Sequence, residues 1–141
     1  TCSCSCSTRD RIAATLMIIL GIATIGAFAN SALEFSSVAP DRVHVEAWRM
    51  LAFVVFAGLF TLLGIFPRRM PGLWELLFFQ KGGVPIFLTY IVNANTVANA
   101  SLTDAAMIAV DAGLAATTLL CYVLTEGWRA WAPRQPQPSR Q

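Results

Sequence analysis

The sequence predicts an all-α fold: a four-helix transmembrane bundle with both termini in the cytoplasm. Hydrophobic residues make up 56% of the 141 residues and charged residues only 13%, whereas soluble domains average about 45–50% apolar and about 25% charged residues. Four long runs are almost free of charge, and each approaches the ~20 residues that a spanning helix needs. A soluble helical bundle would carry polar stripes along its helices, which these runs lack.

The distribution of Lys and Arg predicts the orientation. Of ten such residues, eight precede the first run, lie between the second and third runs, or follow the fourth. Only Arg42 and Arg49 lie between the first and second runs. Because cytoplasmic loops are enriched in Lys and Arg, both termini and the middle loop are expected in the cytoplasm. The sequence therefore indicates a multi-pass integral membrane protein, in a membrane that it does not identify, and the net charge of +2 does not favour nucleic acid.

The predicted domain organisation is a membrane domain at 12–131 between two tails. The tail at 1–11 carries Cys2, Cys4 and Cys6 and is expected to be flexible, with incidental cysteines favoured over acylation sites. The tail at 132–141 is rich in Pro and Gln and is expected to be disordered. The first apolar run is longer than a signal-peptide core and is expected to be a retained anchor.

The first two helices are predicted at about 12–35 and 47–66. In the first, Ala23 and Ala27, and then Gly26 and Asn30, have the small-xxx-small spacing of close helix contacts. Pro67 ends the second.

The third helix is predicted at 73–101, bent near 82–85 at two glycines and Pro85, although 73–79 could instead be a separate interfacial helix. Lys81 is expected to extend to the inner surface. The fourth helix is predicted at 104–128, with a small-residue seam at Ala105, Ala109 and Gly113.

The segment 91–111 is the most informative part of the chain, because it holds three asparagines and two aspartates among apolar residues. Ionisable groups inside a membrane are costly and usually functional. Asp111 is therefore expected to face the bundle. Antiparallel pairing about a tight turn at 101–104 would give it an asparagine of the third helix, Asn93 or Asn95, as its partner.

We predict a polar cavity in the outer half of the bundle, with Asp111, Asp104 and Glu34 as acid/base candidates. The predicted ligand-binding residues are Asn30, Asn93, Asn95, Asn99, His44, Glu46, Trp48 and Arg49. A carboxylic acid with apolar walls can act as a proton donor to a lipophilic molecule, as in isomerase- or cyclase-like chemistry. The alternatives are that Asp104 only stabilises the first turn of a fourth helix capped by Ser101 or Thr103, that Asp111 only joins helices by hydrogen bonds, and that His44 is a surface residue.

Known chemical motifs narrow the function. The chain has no Gly-rich phosphate loop, no H-E-x-x-H and no C-x-x-C pair, so no metal or cofactor is predicted.

The expected partners are membrane lipid and a lipophilic small molecule, with a homo-oligomer or a larger membrane complex as further possibilities and no nucleic acid. Whether the protein is an enzyme stays open. The competing prediction is a non-catalytic accessory subunit of a larger, redox or other, membrane complex. A filled core with the small-residue seam turned outward would favour it.

The segment 48–81, WRMLAFVVFAGLFTLLGIFPRRMPGLWELLFFQK, resembles the second helix and following turn of small DoxX-like membrane proteins. The resemblance covers about a quarter of the chain, and it implies four helices and a functionally mixed family that includes subunits of redox complexes. The layout is also similar to that of the four-helix sterol-isomerase-like group, in which a carboxylate-lined cavity holds the ligand. That likeness is one of architecture alone.

Overall fold

The computed structural model describes residues 7–93 and 103–132, and every element in this part of the chain is helical. Short 3-10 helices follow the first and last α-helices, at Phe35–Ser37 and Gly127–Trp131. The α-helices are α1 (Thr8–Glu34), α2 (Val43–Ile65), α3 (Leu73–Asn93) and α4 (Thr103–Thr125). The all-α prediction is confirmed for the described residues, whereas most of both predicted tails lies outside them.

Two helices begin earlier than predicted. α1 starts at Thr8, so Asp10 lies in its first turn, where a carboxylate favours the N-terminal end of the helix dipole. α2 starts at Val43, which places His44 and Glu46 in its first turn rather than in a loop. The predicted helix bounds are those of the apolar runs. The edges of such runs need not coincide with helix ends, because charged residues can form the first turn of a helix.

Three described helices are long and apolar enough to cross a membrane: α1 with the 3-10 helix that follows it, α2, and Ala106–Thr125 of α4. α3, as far as it is described, is not among them. Its apolar sequence is interrupted by Glu75, Gln80 and Lys81. α3 nevertheless continues through Gly82, Gly83 and Pro85 as one helix. The preferred single third helix is thus observed as far as Asn93.

α1 and α2 pack closely through two glycines. A Cβ added at Gly21 would lie 2.9 Å from Thr61 Oγ1, and one added at Gly64 would lie 3.2 Å from Met17 Cβ. Ala23 and Gly26, which have the predicted small-residue spacing, are both exposed and are not where α1 and α2 approach each other. Gly21 follows Ala13 and Met17 at intervals of four residues, so this trio forms the buried stripe of α1.

The core lies at one end of the bundle. We call the basal half the described chain up to residue 21, from residue 57 to residue 85, and from residue 111 onward. The distal half is the rest of the described chain. Every buried residue that the structure describes lies in the basal half. The central side chains of this core are Met17, Phe60, Leu63, Trp74, Leu77 and Cys121.

Candidate functional site

A buried ion pair joins α3 to α4 at the top of the basal core. Lys81 Nζ lies 3.2 Å from Asp111 Oδ1, and the two side chains are only 9% and 15% exposed. The same ammonium lies 4.2 Å from the centre of the Phe56 ring of α2, a distance suited to a cation–π interaction. Three helices therefore meet around a single positive charge.

The pair explains why each of its members is tolerated in the interior of the bundle. A lone buried charge costs several kcal/mol, whereas a hydrogen-bonded pair without net charge costs much less. Asp111 faces a neighbouring helix, as expected from the free-energy cost of an ionisable side chain in an apolar segment. The prediction that Lys81 reaches the inner surface is wrong, because Lys81 is buried and points to α4.

Asp111 is paired with Lys81 rather than with the expected asparagine. The reason is that α3 and α4 are aligned differently along each other than a turn at 101–104 predicts. That turn would bring Asp111 opposite residues 93–95. Because Asp111 instead meets Lys81, antiparallel α3 and α4 are paired about a point several residues earlier in the chain than the predicted turn.

The other polar residues of 91–111 contribute little that the structure describes. Asn93 is exposed at the end of α3. Asp104 lies in the first turn of α4, but its side chain is outside the described part of the structure. Asn95 and Asn99 also lie outside the described residues, so their predicted roles stay predictions.

The polar residues of α1 lie at its exposed distal end. Asn30 Nδ2 donates a hydrogen bond to Glu34 Oε1 over 3.3 Å, one helical turn away. Both residues are exposed. Ser37 Oγ donates to the backbone carbonyl of Glu34 over 2.7 Å. These bonds stabilise the end of α1 without joining it to another helix.

The first turns of α2 form a second local cluster. Glu46 is paired with Arg49 at 2.5 Å and with Arg42 at 3.8 Å. His44 is exposed, and Trp48 is 73% exposed. Among the side chains that the structure describes, no hydrogen bond or ion pair joins Glu34, His44 or Glu46 to Asp111.

Two cavities of the described part of the chain stand out, and neither is lined by a predicted catalytic or ligand-binding residue. The first is an open groove of about 500 Å³ between α1 and α2. Its lining consists of Gly21, Ile22, Ile25, Val54, Ala57, Gly58, Thr61 and Leu62. The second is a slot of about 60 Å³ between α3 and α4 at the basal end.

Polar contacts between distant parts of the chain concentrate at the basal end, which the site prediction did not include. Arg68, after α2, donates from Nη2 to Asp10 Oδ1 over 2.7 Å and from Nη1 to Oδ2 over 3.3 Å. Its Nε also donates to the carbonyl of Thr125 at the end of α4 over 2.8 Å. One arginine therefore connects the ends of three helices.

An aromatic and acidic group lies beside this connection. Glu75 Oε1 accepts hydrogen bonds from Tyr122 Oη at 2.9 Å and from Trp131 Nε1 at 3.1 Å. The Tyr122 ring packs against Trp74 and, edge-on, against Trp128, with centroids 6.1 and 5.6 Å away. Burial opposes ionisation of Glu75, but hydrogen bonds from the backbone, Trp131 and Tyr122 outweigh it and hold the pKa of this carboxyl below its usual value.

The sequence carries a signal for this group that the site prediction did not use. Three tryptophans and a tyrosine lie near the ends of two helices that pair antiparallel, and they predict an aromatic cluster once the pairing is known. No group of three or more His, Cys, Asp or Glu side chains suited to a metal ion is present in the described residues.

No protein family, curated protein or solved structure matches this chain. The DoxX-like resemblance therefore stays a prediction, and the function has to be argued from the geometry.

Proposed function

We propose that this multi-pass membrane protein is an accessory subunit without catalysis of its own, and that α4 packs against a transmembrane helix of a partner protein. The observation that supports this most strongly is a surface that we call the small face of α4. Its members lie opposite the ion pair and are all exposed: Ala106, Ala109, Ala112, Gly113 and Ala116. Two of them, Ala109 and Gly113, belong to the seam noted in the sequence.

The chain shows elsewhere what a filled small-residue contact looks like. Gly21 and Gly64 have no room for a Cβ, because α1 and α2 approach each other there. A Cβ at Gly113 would meet nothing within 4 Å. Small residues in membrane helices let backbones approach closely, and this packing replaces the hydrophobic effect that lipid does not provide. The small face thus has the composition of a helix contact, and none of the described helices covers it.

The ion pair supports a structural use of Asp111. Its Oδ1 already accepts a hydrogen bond from Lys81, whereas a proton donor would need a neutral carboxyl free to meet a substrate. Glu34 and Glu46 are engaged by Asn30 and by arginines of their own helix. The acid/base role of Asp111, Asp104 and Glu34 stays a prediction.

We also propose that α3 is the fourth span and that the basal end is cytoplasmic. With Lys81 paired inside the bundle, seven of the other nine Lys and Arg residues still lie in the first turn of α1, between α2 and α3, or after α4. The Lys81–Asp111 pair lets α3 enter the apolar layer despite its lower hydropathy. Single cysteines introduced at Ser37 and Arg69 should be labelled from opposite sides of the membrane, and labelling from one side would contradict this topology.

The test of the subunit proposal is affinity purification of the tagged full chain from its native membrane in a mild detergent. The wild-type protein should elute with a stoichiometric partner. Gly113→Leu should lose that partner, because a side chain on the small face prevents close approach. Ala29→Leu, which adds similar bulk at an exposed alanine of α1, should retain it. Elution of the wild type alone, or only as copies of itself, would contradict the proposal.

A second candidate, a binder of a lipophilic small molecule, is favoured by the α1–α2 groove. Its volume of about 500 Å³ falls in the usual range of ligand sites. Its only hydroxyl, that of Thr61, already donates to the carbonyl of Ala57 over 2.8 Å, so the groove offers no acid or base. The same purification decides between the candidates, because a binder would elute with a small molecule that Gly58→Leu removes.

A further inference from the structure

The α1–α2 groove is lined without any charged residue, and its volume is about 500 Å³. Its single hydroxyl, on Thr61, is already bonded to the carbonyl of Ala57. A Cβ added at Gly58 would meet nothing within 4 Å, so the groove is open at this position. Such a lining suits a hydrocarbon chain. Within a bilayer, however, an acyl chain gains little by leaving neighbouring lipid for an apolar groove, so any selectivity has to come from a headgroup.

The α1 side of the groove continues to an arginine. Ile22 and Ile25 line the groove, and Ile18 and Arg11 precede Ile25 by seven and fourteen residues. Positions separated by about two or four helical turns lie on the same face. α1 is one unbroken helix through all of them. Arg11 therefore lies at the basal end of the face that lines the groove.

The turn after α2 brings a second arginine to the same level. α1 and α2 form an antiparallel pair in which a Cβ added at Gly64 would lie 3.3 Å from the carbonyl oxygen of Ala14. Arg11 lies three residues before Ala14, and α2 ends just after Gly64. Continuing the antiparallel register by one turn therefore places Arg11 level with the segment 66–69, which ends in Arg69.

Neither arginine is neutralised by a carboxylate of the described chain. Arg11 and Arg69 are both exposed, and no described Asp or Glu lies within 4 Å of them, whereas their neighbour Arg68 is paired with Asp10. The guanidinium of Arg69 lies 5.2 Å from the centre of the Phe66 ring, which leaves its hydrogen-bond donors available. Unpaired guanidinium groups bind phosphate oxygens well, because their N–H donors match the geometry of that anion.

The depth of the two parts matches a phospholipid. The exposed Trp131 lies at the basal end, and tryptophans concentrate at the level of the lipid headgroups. Gly21, which lines the groove, follows Arg11 by ten residues, or ~15 Å along the helix. That is about half of the ~30 Å hydrocarbon layer. An acyl chain whose headgroup lies at Arg11 therefore reaches the groove.

We propose that the groove holds an acyl chain of an anionic phospholipid from the leaflet at the basal end, and that Arg11 and Arg69 bind its headgroup phosphate. The charge of the two arginines complements the lipid, and the apolar groove places its chain. This inference rests on the groove of the second candidate function and names its ligand. It requires no partner on the small face of α4.

The experiment is lipid retention by the purified full chain, measured by native mass spectrometry in detergent. Dioleoyl phosphatidylglycerol and dioleoyl phosphatidylcholine are compared, since they share acyl chains and differ in headgroup charge. The wild type should retain the anionic lipid about tenfold better, as two arginines near a membrane surface allow. Equal retention of the two lipids would overturn the proposal.

Two variants test the headgroup contact. The double variant Arg11→Gln/Arg69→Gln removes both charges from exposed positions and should abolish the preference for the anionic lipid. Arg42→Gln removes an exposed arginine at the distal end and should leave the preference intact. An unchanged preference in the double variant would overturn the proposal.

Two further variants test the groove. Gly58→Leu fills it and should lower retention of the anionic lipid about tenfold, whereas Gly26→Leu adds the same bulk to α1 outside the groove and should not. Unchanged retention in Gly58→Leu would overturn the proposal. A thermal midpoint below that of Gly26→Leu identifies a loss of fold, and the arginine variants then decide.

The same measurements separate this proposal from the proposed functions. Gly113→Leu, which removes the partner in the subunit proposal, should retain the anionic lipid as the wild type does, because it lies outside the groove. If the wild type retains both lipids equally and Gly58→Leu releases both, headgroup recognition fails while the groove still binds a lipophilic molecule.

Discussion

The basal and distal halves of this bundle are built from similar apolar sequence but are held together in different ways. The basal half contains every described buried residue, and its polar contacts connect different helices, as Arg68 does between Asp10 and Thr125. In the distal half of α1 and α2, the described side-chain hydrogen bonds and ion pairs join residues three or four apart. Contacts within one helix support that helix, whereas contacts between helices determine their arrangement. We infer that the basal half fixes the fold and leaves the distal surfaces available for other molecules.

Removing one member of the ion pair should have the largest effect, because the pair closes the packed half. Lys81→Met leaves the carboxylate of Asp111 buried and unpaired, and it should lower the free energy of unfolding by about 3 kcal/mol or more. The double variant Lys81→Met/Asp111→Leu should recover most of the loss. Unfolding in mixed micelles with increasing dodecyl sulfate measures both. If the single variant is as stable as the wild type, the pair does not stabilise the basal half.

Adding one methyl group should distinguish the two halves by the space available. At Gly127 a Cβ would lie 2.5 Å from Tyr122 Cδ2 and 2.9 Å from Trp74 Cδ1. Gly127→Ala should therefore cost about 1–3 kcal/mol of unfolding free energy through overpacking. Gly26→Ala in the distal part of α1 meets nothing within 4 Å and should stabilise the helix by up to about 1 kcal/mol. Melting curves in one detergent compare the two, and equal shifts would remove the distinction.

The smallest expected difference concerns two arginines. Arg68→Gln removes the links to Asp10 and Thr125 and should cost about 1 kcal/mol, a value reduced because the Arg68 side chain is 41% exposed. Arg49→Gln removes only the pair with Glu46 three residues away and should cost at most about 0.5 kcal/mol. The same melting experiment applies. A larger loss from Arg49→Gln would show that the distal cluster is more than a local contact.

Helix positions were predictable from sequence because apolar length and Pro67 are local signals. α2, predicted at 47–66, is observed at Val43–Ile65. The ion pair was not predictable in the same way. The pair depends on how the antiparallel helices α3 and α4 are aligned along each other. A shift of this alignment by a few residues exchanges one partner of Asp111 for another.

The candidate site was predictable only in part, because the sequence does not show which residues the tertiary fold brings together. A buried aspartate marks a position where the chain needs a polar partner, and Asp111 indeed has one. The sequence does not show whether the partner will be a substrate or Lys81. The basal aromatic group was missed for a related reason, since Glu75 and Tyr122 lie 47 residues apart and meet only through the tertiary fold.

The distance along the chain between Lys81 and Asp111 has a consequence for biogenesis. The two residues are separated by 30 positions, so α3 leaves the ribosome before the carboxylate that neutralises its lysine has been made. α1 and α2 are apolar enough to cross a membrane, but α3, our proposed fourth span, carries an unmatched ammonium until α4 follows. We expect the insertion machinery to hold α3 at its edge and to release α3 and α4 together as a hairpin. The same residue pair that closes the finished core would then set the order of assembly.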